Sequence, residues 1–467
     1  MIFRYIWIDQ RGDTMAAHIK NMTEGKPASL IFSFALPLMV GNVFQQLYTV
    51  VDTMVVGKAL GVGALAALGA ADWLNWMMLG IIQGFTQGFG ILMAQEFGAD
   101  RYEGLRKAIG CSAVLSLLSS VILLGTGQLA ARPVLNLLQT PPEILSDTLL
   151  YLRIMYLGVP VVMAYNLLAS ILRSLGDGRT PLHAMIVAAV TNIVLDLLFV
   201  LVFGLGIAGA AIATLIAQLI SSLFCLYHIR KIELLSFRAS DFQIQERKLP
   251  LRLLMLGFPM AFQNAVISVG GMIVQFVVNG FGVIFIAGFT ATNKLYGVLE
   301  VAATSYGYSM VTYAGQNLGA GRTDRIRRGV KSAVLIALLT SLVIAILMLL
   351  GGKGILGWFI SGTPEEFDQT LRIAYYYLAV MSICLPVLYI LHITRSAIQG
   401  MGNTVLPLVS GIAEFIMRAV TAVFLPMLIG ENGIFYAEIM AWTGATVILV
   451  ISYFAVIHKM ERMLNGV

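Results

Sequence analysis

Apolar runs long enough to cross a bilayer alternate along this chain with short polar clusters, at intervals of roughly 30–45 residues. A spanning helix takes about 20 apolar residues. Stretches of that kind lie near 28–57, 62–93, 106–128, 147–171, 181–203 and 206–229, then near 252–280, 284–314, 328–351, 369–394, 405–428 and 433–458. The pattern predicts an all-α integral membrane protein with twelve transmembrane helices. The longest polar connection, 230–251, separates six helices from six. It divides the chain into a segment 1–27, a first lobe 28–229, a linker 230–251, a second lobe 252–458 and a tail 459–467.

The polar clusters are not equivalent. With the spans so placed, 23 of the 30 Lys and Arg residues fall in loops on one side, among them Arg4, Arg11, Arg101, Arg106, Arg247, Arg322 and Arg395. The opposite loops hold Lys58, Arg132 and Lys353. This is the positive-inside bias, and it puts both termini in the cytoplasm. It also accounts for the net charge of +6 without a nucleic-acid partner. Composition agrees: 58% of residues are hydrophobic and 12% charged, against about 25% charged in soluble domains. The cysteines Cys111, Cys225 and Cys384 all fall in apolar runs and read as small core residues. The first twenty residues have mixed polarity and no cleavage site. They read as an amphipathic anchor, or as a matter of start-codon choice, since MTEGKPASL from Met22 is also a natural beginning.

A duplication underlies the two sets of six. QEFGADRYEGLRKAI from Gln95 reappears as QNLGAGRTDRIRRGV from Gln316, with Gly98 and Gly319, Arg101 and Arg322, and Arg106 and Arg327 at the same offset of 221. Pro37 and Pro259 match, as do Arg173-Ser174 and Arg395-Ser396. Six is even, so the second copy enters the membrane in the same direction as the first. Two such bundles are related by a pseudo-two-fold along the membrane normal and enclose a central cleft.

Charged and polar groups inside spans are costly and become functional candidates. Asp52 lies near the outer end of the first predicted helix, Asn192 and Asp196 one turn apart on the fifth, and Thr214 on the sixth. At 1.5 Å per residue their depths are about 9, 18, 12 and 12 Å. Two carboxylates, an amide and a hydroxyl form a hard oxygen set, suited to Na⁺ or to shared protons. As packing alone, Asn192 and Thr214 would merely join helices, and Asp52 would be a solvated helix end. Asp196 has the weakest such reading. The offset of 222 takes Asn192 to Glu414 and Asp196 to Arg418, which read as a structural ion pair. Cleft-lining candidates are Gln45, Gln46, Asp72, Trp76, Gln83, Gln263, Lys294 and Tyr306, each with an ordinary packing or snorkelling alternative. No HExxH, GxSxG, Walker or CxxC motif is present, so the chain does not read as an enzyme.

Several segments together resemble the multidrug and toxic compound extrusion (MATE) family: ALPLMVGNVFQQLYTVVDTMVVG, ALAALGAADWL, QEFGADR, LRSLGDGRTP, TNIVLDLLFVLVFGLGIAGAAIAT and QNLGAGR. The resemblance covers the chain from about Met22. It implies two six-helix bundles around a V-shaped cleft, with export of organic cations and other amphipathic compounds in exchange for Na⁺ or H⁺. It implies a coupling site at Asp52, Asn192, Asp196 and Thr214, with no cofactor beyond that ion. Members resembling the NorM branch carry further acids on helices seven and ten. LGFPMAFQNAVISVGG and YYYLAVMSICLPVLYI have none, so the chain is more similar to the DinF branch. The expectation is a monomeric secondary antiporter of the bacterial plasma membrane acting on small amphipathic or cationic molecules. The alternative is a flippase for a lipid-linked oligosaccharide, whose cleft would need several cationic side chains.

Overall fold

A computed structural model describes residues 19–243, 248–360 and 363–464. Arg4, Arg11, Arg247 and the proposed amphipathic anchor lie outside the described residues, apart from the anchor's end at Ile19 and Lys20. Twelve helical spans follow in order: α1 Pro27–Gly61, α2 Gly63–Gly98, α3 Tyr102–Leu137, α4 (the bent pair Pro142–Leu157 and Val159–Ser174), α5 Arg179–Val202 and α6 Gly206–Arg230. They continue with α7 Lys248–Val278, α8 Val283–Gly319, α9 Thr323–Gly357, α10 Pro364–Gly400, α11 Val405–Ile429 and α12 Glu431–Met460. No strand occurs among the described residues.

Helices run past the predicted ends because the spans continue as helix into the polar clusters. The one predicted helix at 147–171 is two segments meeting at 49°. Gly158 sits at the junction and Pro160 opens the second segment. Proline removes a backbone donor and crowds the preceding turn, so the helix bends there. α8 is long enough to span, but it is not among the helices apolar enough to qualify by composition. It carries Lys294 and Glu300, and most of its surface is covered by protein. In contrast, α9 presents Leu335, Leu339, Leu342, Val343, Ile346 and Leu350 outward, as a lipid-facing helix does.

The two lobes meet along two seams that obey the duplication. Asn42 of α1 donates to Ser305 Oγ of α8 at 3.2 Å. Its counterpart Asn264 of α7 donates to the Gly80 carbonyl of α2 at 2.8 Å. At one end the repeated loops cross. Gln95 Nε2 donates to the Gly400 carbonyl at 3.2 Å, and Gln316 Nε2 donates to the Ser174 carbonyl at 2.8 Å. Each glutamine therefore caps the end of a helix in the other lobe. Further in, Gln87 and Tyr308, themselves 221 apart, join at 3.1 Å. The Arg173 guanidinium lies 4.7 Å above the Tyr308 ring. Lys20, Arg101, Arg252, Arg322 and Arg325 gather around this junction, which we call the basic end. The connection after α6 lies against it: Leu235 and Asp241 are buried, and Asp241 faces Arg106 of α3 at 3.7 Å.

Candidate functional site

Asp196 is the last α-helical residue of its span. The next six, Leu197–Val202, form a π-helical segment. A π turn widens the helix and interrupts the regular ladder, and such segments collect at functional sites. Asp196 is 0% exposed and Asn192 1%. Asn192 Nδ2 donates to Thr214 Oγ1 at 3.3 Å, and Thr214 donates to the Ala210 carbonyl of its own helix at 3.1 Å. α1 brings Asp52 to the same place, where its carboxyl lies within interaction range of that of Asp196. The four sequence-predicted residues are therefore together in one lobe, from three helices.

What the site lacks is as telling. Both carboxyl oxygens of Asp196, Asp52 Oδ1 and Asn192 Oδ1 are buried without a hydrogen-bond partner. Buried polar oxygens are normally satisfied, and two facing carboxylates cannot both stay ionised unless something positive lies between them. The open valences suit a shared proton or a small hard cation. No group of three or more His, Cys, Asp or Glu side chains able to hold a metal occurs among the described residues.

Sequence reasoning missed three neighbours. Tyr48, one turn before Asp52, lies within interaction range of Asp52, Asp196, Gln45 and Gln218. Tyr151 of α4 is buried within charge range of Asp52, Asp72 and Asp196. The i, i+4 spacing to Asp52 and Thr214 could have flagged Tyr48 and Gln218. Nothing in the sequence points to Tyr151.

The cleft candidates divide. Asp72 is exposed, within charge range of Asp52 on its own lobe and of Lys294 on the other. Trp76, one turn on, is 61% exposed. Gln45, Gln46 and Gln83 are half-buried, and Gln46 lies against Gly297 of α8. Gln263 and Tyr306 do not line the cleft. Each is 1% exposed: Gln263 pairs with Gln399 at 3.4 Å, and the Tyr306 hydroxyl pairs with Thr340 at 2.9 Å inside the second lobe. A polar side chain on an interior-facing stripe satisfies itself within its own bundle, and sequence cannot say which stripe faces the cleft.

The Glu414–Arg418 pair exists, and it is part of a longer chain. Arg395 Nη2 meets Glu414 Oε2 at 2.6 Å, Glu414 Oε1 meets Arg418 Nη2 at 3.0 Å, and that nitrogen also meets Glu438 Oε2 at 2.7 Å. Arg395 thus lies inside α10 rather than in a loop, and it leaves the positive-inside tally. Its charge is tolerated in the bundle because Glu414 is its partner.

The MatE family model matches residues 37–198 and 259–424. "Probable multidrug resistance protein YpnP" of Bacillus subtilis is 31% identical over 306 residues, 66% of this chain and 68% of that protein. "Multidrug export protein MepA" of Staphylococcus saprophyticus is 22% identical over 413 residues, 88% of each. Among solved structures, "Crystal structure of MATE in complex with MaL6" superposes with TM-score 0.88 at 21% identity, covering 95% of this chain and 99% of that one.

Proposed function

We propose that this chain, which belongs to the MatE family of multidrug and toxic compound extrusion transporters, is a secondary antiporter. It exports organic cations and other amphipathic compounds in exchange for H⁺ or Na⁺. The observation that carries the reading is the set of unpartnered buried oxygens at Asp52, Asn192 and Asp196 beside a π-helical segment. Such a set is costly when empty and is relieved by a proton or a small cation.

α1 supplies the mechanical link. Its first half packs on the other lobe, through the Ile31 carbonyl accepting from Ser309 at 2.9 Å and through Asn42. Its second half carries Asp52 into the first-lobe site. Pro37 lies between the Ile31 contact on one side and Asn42 and Asp52 on the other, and it leaves the Ser33 carbonyl without its helical donor, so α1 can bend there. An ion that draws Asp52 toward Asp196 pulls on the same helix that forms the seam. Coupling then follows if the ion binds one conformation better than the other. The two lobes rock about the seams, with the basic end closed in the state described here.

A flippase for a polyanionic headgroup gains nothing from three cations of the spans. Arg395 and Arg418 are held in ion pairs and Lys294 is faced by Asp72. The deciding experiment is Asp196→Asn. It should abolish ion-driven efflux of a cationic dye from cells while membrane expression stays normal. Undiminished efflux would remove Asp196 from the coupling role. Ion replacement in proteoliposomes then separates H⁺ from Na⁺.

A further inference from the structure

The duplication pairs two arginines that meet different surroundings. Arg173 of α4 and Arg395 of α10 are 222 apart. Arg395 is held by Glu414 at 2.6 Å. The first-lobe position equivalent to Glu414 is Asn192, whose amide is turned to Thr214 instead. Asp177, one turn beyond Arg173, is occupied by its own loop: it accepts from the Arg179 and Thr180 amides at 2.9 Å and from the Thr180 hydroxyl. Arg173 is thus left without an acid. Among the described residues it makes no salt bridge and its guanidinium donates no hydrogen bond. It rests instead on the face of Tyr308 in the other lobe, 4.7 Å from the ring centre. A guanidinium carries five donors on its edge, and one held in a span without an anion is a functional candidate.

Its neighbours come from both lobes. Gln87 of α2 donates to the Tyr308 hydroxyl at 3.1 Å, and that hydroxyl's own proton has no acceptor among the described residues. Tyr165 of α4 lies within charge range of Arg173, Tyr308 and Tyr48, and Tyr48 within range of Asp52 and Asp196. Gln87, Tyr165, Arg173 and Tyr308 are half-buried, whereas Ser170, Ser174 and Thr312 behind them are buried. The space between these groups is about 20 Å³, room for about one water molecule. It cannot take a head group while the basic end is closed. Parting the lobes there lifts Tyr308 from Arg173 and frees the donor edge between them.

We propose that Arg173 holds an oxyanion on the substrate: with the basic end open, a carboxylate or phosphate on an amphipathic molecule takes the place of Tyr308 on the guanidinium. A planar guanidinium binds such a group through two parallel hydrogen bonds. Closing the basic end returns the Tyr308 ring to Arg173 and displaces the oxyanion, so the charge is covered in both states. Zwitterionic and anionic amphiphiles therefore join the organic cations as substrates. The inference rests on the transport reading, and it adds a residue and a substrate class to it.

The test compares two dyes of one scaffold, a cationic rhodamine ethyl ester and its free acid, which carries a carboxylate in place of the ester. Binding of each to the full chain is measured in phosphatidylcholine nanodiscs, where no anionic lipid competes. The readout is the ratio of the two Kd values, free acid over ester. A substitution that only shifts the balance between open and closed lobes moves both dyes alike and leaves the ratio unchanged. Arg173→Gln should raise the ratio about 10- to 100-fold by weakening the free acid alone. Arg173→Lys keeps the charge but not the fork, and should give a smaller rise. It also keeps the test open if the glutamine variant does not fold, and melting temperatures verify each preparation. An unmoved ratio in both variants, or a wild-type chain that binds the ester and not the free acid, overturns the proposal. A wild-type chain that binds neither dye overturns the transport reading itself, so the two failures are distinguishable.

Discussion

The crossing of the repeated loops makes a mechanical prediction with a calculable size. A Cβ placed on Gly98 would lie 2.0 Å from the Gln316 carbonyl oxygen and 2.5 Å from its Cα. A Cβ on Gly319 would lie 1.9 Å from the Gln95 carbonyl oxygen. Both obstacles are backbone atoms, which cannot rotate away. Bringing either contact to 3.0 Å, the least that real Cβ atoms tolerate, requires the helix ends to part by about 1 Å. Overpacking of this kind costs about 1–3 kcal/mol. Only the state with the basic end closed bears that cost. Gly98→Ala or Gly319→Ala should therefore shift the population toward the opposite-facing state by about 5- to 150-fold. Spin labels at Glu103 and Asp324, exposed sites at the starts of α3 and α9 and again 221 apart, report the separation. The exposed ion pairs these residues lose, with Lys107 and Arg328, contribute little. The native cysteines would first be replaced. The expected outcome is a longer inter-label distance at the basic end and slower efflux of a cationic dye. Unchanged distances together with wild-type efflux in both variants would refute the closed-end reasoning.

Other outcomes follow from the same geometry. Arg418→Leu strands the buried Glu438 carboxylate and should cost about 3–5 kcal/mol, read as a lower melting temperature, with part of the loss recovered by adding Glu438→Gln. Asn192→Ala or Thr214→Val removes one interhelical hydrogen bond, worth about 0.6 kcal/mol on average in a membrane. Stability should barely change while ion-driven efflux falls, and intact efflux would reduce both residues to packing. Gln316→Ala removes the bonds to the Met22 amide and the Ser174 carbonyl at a fully buried position, so the same label pair should again open.

The twelve spans were legible because lipid imposes a simple rule on sequence: length and apolarity together. The bend in α4 follows from Pro160 only once its neighbours are known, and the π segment after Asp196 leaves no mark in LLFVLV. The first-lobe site was legible for a related reason. An acid inside an apolar run has few structural excuses, so Asp52 and Asp196 stood out. Gln263 and Tyr306 were misplaced because an uncharged polar side chain is cheap to bury inside a bundle, and its facing is decided by packing. Arg395 was misplaced because the predicted helix stopped at 394 while the observed one continues to Gly400, which moved a buried charge into a loop. The repeat itself was visible, but its consequence was not. Matching loops could have lain apart, yet they cross and lock one another through Gln95 and Gln316.

That lock and the two lobes' charge patterns belong to one argument. In the second lobe, Arg418 stands at the position equivalent to Asp196 and is already held by Glu414 and Glu438, so most of the cluster needs nothing from outside. In the first lobe the equivalent position is a carboxylate with both oxygens unpartnered. A conformational change can be driven only by a ligand that binds the two states unequally. The chain Arg395–Glu414–Arg418–Glu438 is self-compensated and offers no such ligand, whereas an uncompensated acid pair does. Asp52 is on the helix that also forms the α1–α8 seam, so neutralising it acts on the lobe contact directly. The duplication therefore supplies the symmetric seams and the gate, and the loss of symmetry between Asp196 and Arg418 supplies a direction. Converting Arg418 to Asp, with Glu438→Gln to limit the repulsion, should not create a second ion-driven lobe, because the α7–α2 seam carries no acid at the position equivalent to Asp52. A doubled ion-to-substrate stoichiometry in that variant would show that the seam helix is dispensable for coupling.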